Sequence, residues 1–166
     1  MSISNGYTQI PQGVYFSDGD MTVTVWVRPK FIINYQSLID FTDFPVTNRI
    51  QIGLSYQMSG EPYFKIFNST TSSYSSAGKN LTLNEWCYLS FVIAGQNKKI
   101  YINATLVTNN IITVRPTNVT RTINYIGKSY STGYPNMEAD IDELKFFNRA
   151  LTQQEIQFEM NNNMFV

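Results

Sequence analysis

The sequence predicts an all-β fold, a single antiparallel jelly-roll β-sandwich with one short C-terminal helix. Short segments of alternating apolar and polar residues recur at regular spacing, separated by turn residues. Aromatic residues make up 14% of the chain and favour sheet over helix. Helix-start signals are concentrated in one stretch near the end. The 166 residues fit one domain, so residues 1–166 are treated as a single unit.

The predicted strands follow one another with short turns between them. The first two, 13–16 and Met21–Pro29, are separated by the turn-forming run Ser17-Asp-Gly-Asp20. Further strands are predicted at 36–41, Asn48–Ser55, 62–67, 86–93, 99–103, 111–114 and 122–127. Residues 68–80 are rich in Ser and Thr, which indicates an exposed loop or a ragged edge strand.

The stretch from Met137 to Ile156 combines the last strand with the start of the helix. Its first half alternates with the two-residue period of a strand. Thr152 and Glu155 have the spacing of a capping box, in which each side chain accepts a hydrogen bond from the other residue's backbone N–H. Leu151 and Ile156 are placed to pack together across the turn. A strand therefore leads directly into a short helix.

The same stretch resembles a family signature. The matching segments are Ile141-Asp142-Glu143-Leu144, Phe147-Asn148-Arg149-Ala150-Leu151 and Glu155-Ile156. They are similar to the motif that closes the laminin-G-like, pentraxin-related modules of the concanavalin A-like lectin/glucanase superfamily, with Ala139 where the family usually has Gly. The resemblance implies the jelly-roll sandwich. It leaves the function open, because this fold carries lectins, adhesion modules, glycosidases and inert spacers.

One turn departs from the family pattern. Residues 99–103 resemble the family's strand that ends in Asn, which Gly normally follows in a tight hairpin. Here Ala104 follows Asn103, and a positive φ at a non-glycine residue costs about 1 kcal/mol. A longer or different turn is therefore expected.

Composition argues against several function classes. Lys plus Arg and Asp plus Glu are 12 each, so the net charge is zero and no basic stripe is available for nucleic acid. The sequence contains no run of 18 apolar residues, so membrane insertion is not predicted. We expect a soluble chain from which any signal peptide was removed or left out. The absence of His removes the usual zinc ligand and the usual general base. Cys87 is the only cysteine, so no internal disulfide can form, and a small buried hydrophobe is expected there.

An enzyme is one alternative. The spacing in Glu138-Ala-Asp-Ile-Asp-Glu143 resembles that of retaining glucanases of this fold, which would make Glu138 the nucleophile, Asp140 its helper and Glu143 the acid. The same residues belong to the laminin-G-like signature, however, and the chain is short for such an enzyme. No catalytic residue is therefore predicted.

Calcium is a second candidate ligand. Asp18 and Asp20 beside Gly19 would lie near Asp142 if the terminal strands pair, and oxygen ligands suit one structural Ca²⁺. An ordinary Asp-Gly turn explains the first two residues equally well. Asn48 matches one ligand position of the pentraxins, but their acidic partners are missing here.

A tyrosine-rich surface is the third candidate. We expect Tyr130, Tyr134 and Asn136, together with Asn48, to form a ligand-binding surface, with Tyr56 or Tyr74 as further candidates. Flat rings beside amides suit sugar faces, which bind by stacking and by hydrogen bonds to hydroxyls. Tyrosine is equally common in protein contacts and in half-buried loop anchors.

These observations predict a non-catalytic recognition module that binds glycan at a cell or matrix surface, as one piece of a larger extracellular or adhesive protein. The first alternative is a structural or oligomerisation domain that contacts only protein, including a homo-oligomer. The second is the family-16-like retaining β-glucanase. A glycan or a cell-surface or matrix protein is the expected partner.

Overall fold

A computed structural model describes residues 2–3 and 6–162 of the chain. The described part contains twelve β-strands and one α-helix. In chain order they are β1 (Ser2–Ile3), β2 (Thr8–Ile10), β3 (Met21–Pro29), β4 (Gln36–Thr42), β5 (Asn48–Ser55), β6 (Tyr63–Asn68), β7 (Thr71–Ser76), β8 (Cys87–Ala94), β9 (Asn97–Ile102), β10 (Thr105–Ile111), β11 (Ile123–Ile126), β12 (Ala139–Phe147) and α1 (Gln153–Asn162). No helix among these residues has the length and apolar character needed to cross a bilayer.

The strands form two six-stranded antiparallel sheets. The first sheet has the order β1-β12-β3-β8-β9-β10 and the second has the order β2-β11-β4-β5-β6-β7. Alternate side chains of both sheets point inward and form one core, for example Val25 and Phe91 from the first sheet and Ile52 and Phe64 from the second. The predicted jelly-roll sandwich with one C-terminal helix is confirmed.

Most predicted strands are present, and the differences lie in polar or irregular segments. The strands Met21–Pro29 and Asn48–Ser55 have the predicted bounds, and β7 is the ragged edge strand expected within residues 68–80. The predicted strand 13–16 is wrong, since only a single bridge between Gly13 and Arg121 forms there. Strand β10 was missed because most of its side chains are polar, and the apolar 111–114 was predicted instead.

Helix α1 packs on the outer face of the first sheet. Leu151 and Ile156 are buried there against the aromatic side chains of Trp26, Tyr88 and Tyr101. The predicted capping box is confirmed.

The capping distances show reciprocal hydrogen bonds at the start of α1. The Glu155 amide donates to the Thr152 hydroxyl at 3.2 Å, and the Thr152 amide donates to the Glu155 carboxylate at 2.8 Å. The Thr22 hydroxyl of β3 accepts from the Leu151 amide at 2.9 Å and donates to the Arg149 carbonyl at 2.9 Å. The entry to the helix is thereby fixed to the sheet.

The hairpin between β9 and β10 contradicts the sequence-based expectation. It is a tight two-residue turn in which Asn103 and Ala104 have φ angles of 49° and 58°. Ala104 is buried among the residues under α1, and its carbonyl accepts a hydrogen bond from the Gln153 amide group at 3.0 Å. Burial of the Ala104 methyl group offsets the backbone strain that a glycine would have avoided.

Polar side chains close one side of the sandwich, where edge strands β7 and β10 lie alongside each other. The Thr108 hydroxyl donates to the Ser76 carbonyl at 2.7 Å, and the Asn110 amide group donates to the Ser75 hydroxyl at 3.1 Å. Behind them the fully buried Lys98 donates to the Ser73 hydroxyl at 3.0 Å and to the Phe64 carbonyl at 3.1 Å. Burial lowers the pKa of Lys98 from 10.5 to about 7.

The buried Lys98 predicts a specific pH dependence of stability. Between pH 7 and 10.5 the unfolded chain keeps the Lys98 proton that the folded chain has released, so the free energy of unfolding rises with pH. The contribution is up to about 1.4 kcal/mol per pH unit. Chemical denaturation of wild type and Lys98→Met between pH 7 and 9 measures it, and we expect the variant to lose this part of the slope. Equal slopes in the two proteins would contradict the assignment.

Candidate functional site

The outer face of the second sheet carries a row of polar and aromatic side chains. On β5 the inward side chains are Ile50, Ile52 and Leu54, so Arg49 and Gln51 point outward. Strand pairing then aligns four outward residues directly across neighbouring strands. From β4 to β7 they are Asp40, Gln51, Lys65 and Tyr74.

An ion pair between Arg49 and Asp40 anchors the loop that follows β11. The Arg49 Nε donates to Asp40 Oδ1 at 2.7 Å, and the Asp40 carboxylate is completely buried. Arg49 Nη2 and Nη1 donate to the hydroxyls of Ser129 and Ser131 at 3.0 and 3.1 Å. The Tyr130 amide and the Ser129 hydroxyl donate to Asp40 Oδ2 at 2.9 and 3.0 Å. The loop is therefore fastened to the sheet face.

The Arg49 guanidinium remains charged in this environment. Burial by itself would lower the pKa of Arg49, but the hydrogen bond and the negative charge of Asp40 outweigh that effect and raise it above its ordinary value. Arg49 and Asp40 thus neutralise each other at the base of the site.

Beside this ion pair lies a cluster of five tyrosines, Tyr35, Tyr56, Tyr63, Tyr74 and Tyr134, called here the tyrosine cluster. Ring centroids are 4.5 Å apart for Tyr134 and Tyr35, 5.1 Å for Tyr35 and Tyr56, and 4.6 Å for Tyr56 and Tyr74. Tyr63 is completely buried beneath, whereas Tyr74 and Tyr134 are 39% and 38% exposed. Burial raises the pKa of Tyr63, so its phenol stays neutral. The cluster offers two exposed rings on a packed base.

The position of Tyr63 depends on a glycine. A Cβ atom on Gly53 would lie 2.2 Å from Tyr63 Cε1 and 2.3 Å from the backbone oxygen of Gln36. Only a residue without a side chain lets the Tyr63 ring lie this close to β5.

A depression of about 190 Å³ lies on the same face. It is lined by Val46, Arg49, Gln51, Lys65 and Phe67. The Gln51 amide group donates to the Ser37 hydroxyl at 2.8 Å, which fixes its orientation. The depression therefore combines a flat apolar ring with amide and cationic groups.

The structure brings some of the predicted ligand-binding residues together. Tyr134 joins Tyr56 and Tyr74 in the tyrosine cluster, and Tyr130 belongs to the loop held by Asp40. Asn136 follows in that loop and is partly buried.

Asn48 has a different position. Its side chain donates to Asp43 Oδ2 at 2.8 Å, and its amide donates to Asp43 Oδ1 at 2.7 Å, within the turn between β4 and β5. Burial raises the pKa of Asp43, but these bonds and those from Thr47 outweigh it and lower the value overall. Asn48 therefore stabilises a turn in this structure.

Sequence reasoning missed other residues of the face, which are Tyr35, Asp40, Val46, Arg49, Gln51, Tyr63, Lys65 and Phe67. A signal for four of them was present. The core-facing residues of β5 and β6 alternate with 49, 51, 65 and 67, which marks these positions as outward. Alternation does not tell which strands are neighbours, so the shared site was not visible.

The predicted calcium ligands lie apart. Asp20 precedes Met21 at the start of β3, and its Oδ1 accepts from the Gly95 amide at 2.9 Å and from Arg115 at 3.0 Å. Asp142 lies opposite Trp26, about 17 Å further along β3. Asp18 lies with Asp20 in the turn before β3. Within residues 2–3 and 6–162 no three acidic or cysteine side chains are grouped for a metal ion. Calcium binding stays a prediction.

The candidate catalytic acids lie on the other sheet, on or next to β12. Asp140 accepts from Arg28 Nε and pairs with Lys30 Nζ, both at 2.7 Å. Glu143 sits at a bulge with a φ angle of 50° and pairs with Lys145 at 3.2 Å. Lys145 also bonds Glu159 of α1 at 3.1 Å. Asp140 and Glu143 thus take part in ion pairs on the sheet that carries the helix.

Comparison with known proteins shows the family and the fold. No curated protein matches the sequence. Domain 4 of AbnA, an extracellular arabinanase of Geobacillus stearothermophilus solved with arabinotriose, is similar with a TM-score of 0.73 and 16% identity over 91% of this chain and 70% of that one.

Two toxin domains are also similar. The binding domain of Paraclostridial Mosquitocidal Protein 1 has a TM-score of 0.68 and 18% identity, over 89% of this chain and 38% of that one. The binding domain of botulinum neurotoxin serotype G has a TM-score of 0.69 and 15% identity, over 98% and 44%. The chain spans less than half of either toxin domain.

Its sequence is matched by a family model over residues 3–157, and the chain belongs to that family, Laminin_G_3 of the concanavalin A-like lectin/glucanases superfamily.

Proposed function

We propose that this chain is a non-catalytic module that binds carbohydrate on the outer face of its second sheet. The observation that carries the proposal is the tyrosine cluster, which holds two partly exposed rings beside a polar depression on one sheet face. Exposed aromatic rings stack on the apolar faces of sugars, and amide and charged groups bind their hydroxyls.

The rigidity of the cluster favours ligand binding. Tyr35 has a φ angle of 55°, a conformation that costs a non-glycine residue about 1 kcal/mol, and this conformation places its ring between Tyr56 and Tyr134. Residues held in unfavourable backbone conformations are concentrated at functional sites. The rings are therefore preorganised, which lowers the entropy cost of binding a flexible oligosaccharide.

The similar structures support a binding role and an extracellular setting. The arabinanase domain was solved with a trisaccharide, and the two toxin structures are described as binding domains. By analogy, the module would serve as one part of a larger extracellular or cell-surface protein. The ion pairs of Asp140 and Glu143 support the non-catalytic assignment, since both carboxylates already have cationic partners in this structure.

Removal of either exposed ring, Tyr74 or Tyr134, should weaken carbohydrate binding. Tyr134→Ala and Tyr74→Ala should each weaken carbohydrate binding about fivefold, because each removes a stacking surface worth on the order of 1 kcal/mol. A glycan array that includes arabino-oligosaccharides identifies the ligand, and isothermal titration calorimetry measures the affinities.

Phe158→Ala is the matched control, since Phe158 is a 64% exposed aromatic residue on α1, away from the face. It should leave the affinity unchanged. Absence of glycan binding at millimolar concentration would refute the proposal and favour a module that contacts only protein.

Product analysis of the same mixtures should show no hydrolysis, and cleavage that disappears in Glu138→Gln would instead establish the glucanase.

A side chain at Gly53, at the base of the tyrosine cluster, should lower the stability of the fold. Gly53→Ala should push the Tyr63 ring and the Gln36 backbone apart, lowering the free energy of unfolding by about 1–3 kcal/mol as overpacking does. The tyrosine signal in near-ultraviolet circular dichroism should change as well. Gly19→Ala is the control, because its Cβ would meet nothing closer than 3.7 Å. Equal stability of both variants would show that the Tyr63 ring is not confined by Gly53.

A further inference from the structure

Lys65 occupies the centre of the outer face without an acidic partner. It lies between Gln51 on β5 and Tyr74 on β7 and is partly exposed in the depression. Several cations elsewhere, including Arg28, Arg115 and Arg149, are paired with carboxylates, whereas no described acidic residue forms an ion pair with Lys65. Its charge is therefore available to a ligand.

Asp40, the carboxylate that pairs with Arg49 beside the depression, already accepts four hydrogen bonds. Asp40 is fully buried and accepts hydrogen bonds from Arg49, from the Ser129 hydroxyl and from the Tyr130 amide. It neutralises Arg49 and leaves the charge of Lys65 uncompensated. No acidic side chain lines the depression among the described residues, so its net charge is positive.

Arg49 also keeps hydrogen-bonding capacity. Its Nη1 carries two N–H groups, of which one donates to the Ser131 hydroxyl, and no described residue accepts from the other. The side chain is 16% exposed and lines the depression next to Gln51. Lys65 and Arg49 thus both line the same small volume, together with the apolar side chains of Val46 and Phe67.

We propose that this depression binds the carboxylate of an acidic sugar, with Lys65 as the residue that selects acidic over neutral oligosaccharides. The inference rests on the proposed function of the same face. A sugar carboxylate accepts charge-assisted hydrogen bonds from Lys65 and Arg49, while its pyranose ring lies against Phe67. The next sugar along the row is then positioned at Tyr74, which pairs directly with Lys65.

The experiment compares uronic acid oligosaccharides and sialylated oligosaccharides with their methyl esters, which keep size and linkage but lose the negative charge. We expect the free acids to bind at least tenfold more tightly than the esters, with affinity falling as sodium chloride rises from 50 to 500 mM. Lys65→Gln should remove the preference for the acids over the esters, whereas Lys65→Arg should retain it.

Lys99→Gln is the matched control, because Lys99 is a partly exposed lysine of the first sheet that forms no ion pair with any described residue. It should retain the full preference, and both Gln variants should melt as the wild type does. Equal binding of acids and esters, both still weakened by Tyr134→Ala, would overturn this inference while the proposed function stands. A sulfated oligosaccharide lacking carboxylates that binds as tightly as the acids would also overturn it. Absence of binding to any oligosaccharide would overturn both.

Discussion

The buried ion pair between Arg49 and Asp40 is the interaction on which the rest of the candidate site depends. It joins β4 to β5 and, through Ser129, Ser131 and the Tyr130 amide, fastens the loop after β11 to the sheet. That loop carries Tyr134 to the exposed end of the tyrosine cluster. Removing one partner of a buried ion pair leaves an uncompensated charge and costs several kcal/mol, so neither residue can be exchanged singly without disturbing the loop. A local electrostatic contact thereby positions one loop of a surface that is assembled from four strands and several connecting segments.

The two sheets use their outer faces differently, and the sequence explains the difference. On the first sheet, Trp26, Tyr88 and Tyr101 form an apolar surface that Leu151 and Ile156 cover. On the second sheet the outward positions hold Asp40, Gln51, Lys65 and Tyr74, which are too polar to bury a helix. Asp40 and Gln51 are buried beneath neighbouring groups, whereas Lys65 and Tyr74 remain partly exposed. Helix α1 therefore completes the hydrophobic packing of one side, and no described helix covers the other side.

Local features of the sequence predicted local structure well. The alternation at Met21–Pro29 and Asn48–Ser55 defined two strands, and the Thr152 and Glu155 pair defined the helix start. Features that depend on distant residues were not predictable in this way. The turn at Ala104 was misjudged because the helix that buries its methyl group lies some fifty residues later in the chain. Tyr74 and Tyr134 were named as candidates from composition, but their contact through Tyr35 and Tyr56 requires the pairing of strands.

The polar contacts between β7 and β10 have a consequence for behaviour in crowded solution. Free edges of β-sheets are templates on which further strands from other chains add, and this addition leads to aggregation. Here the Thr108 hydroxyl donates to the Ser76 carbonyl and the Asn110 amide group donates to the Ser75 hydroxyl, so the two edge strands partly cover each other. A strand from another copy of the module therefore finds less free edge to pair with at β7 and β10.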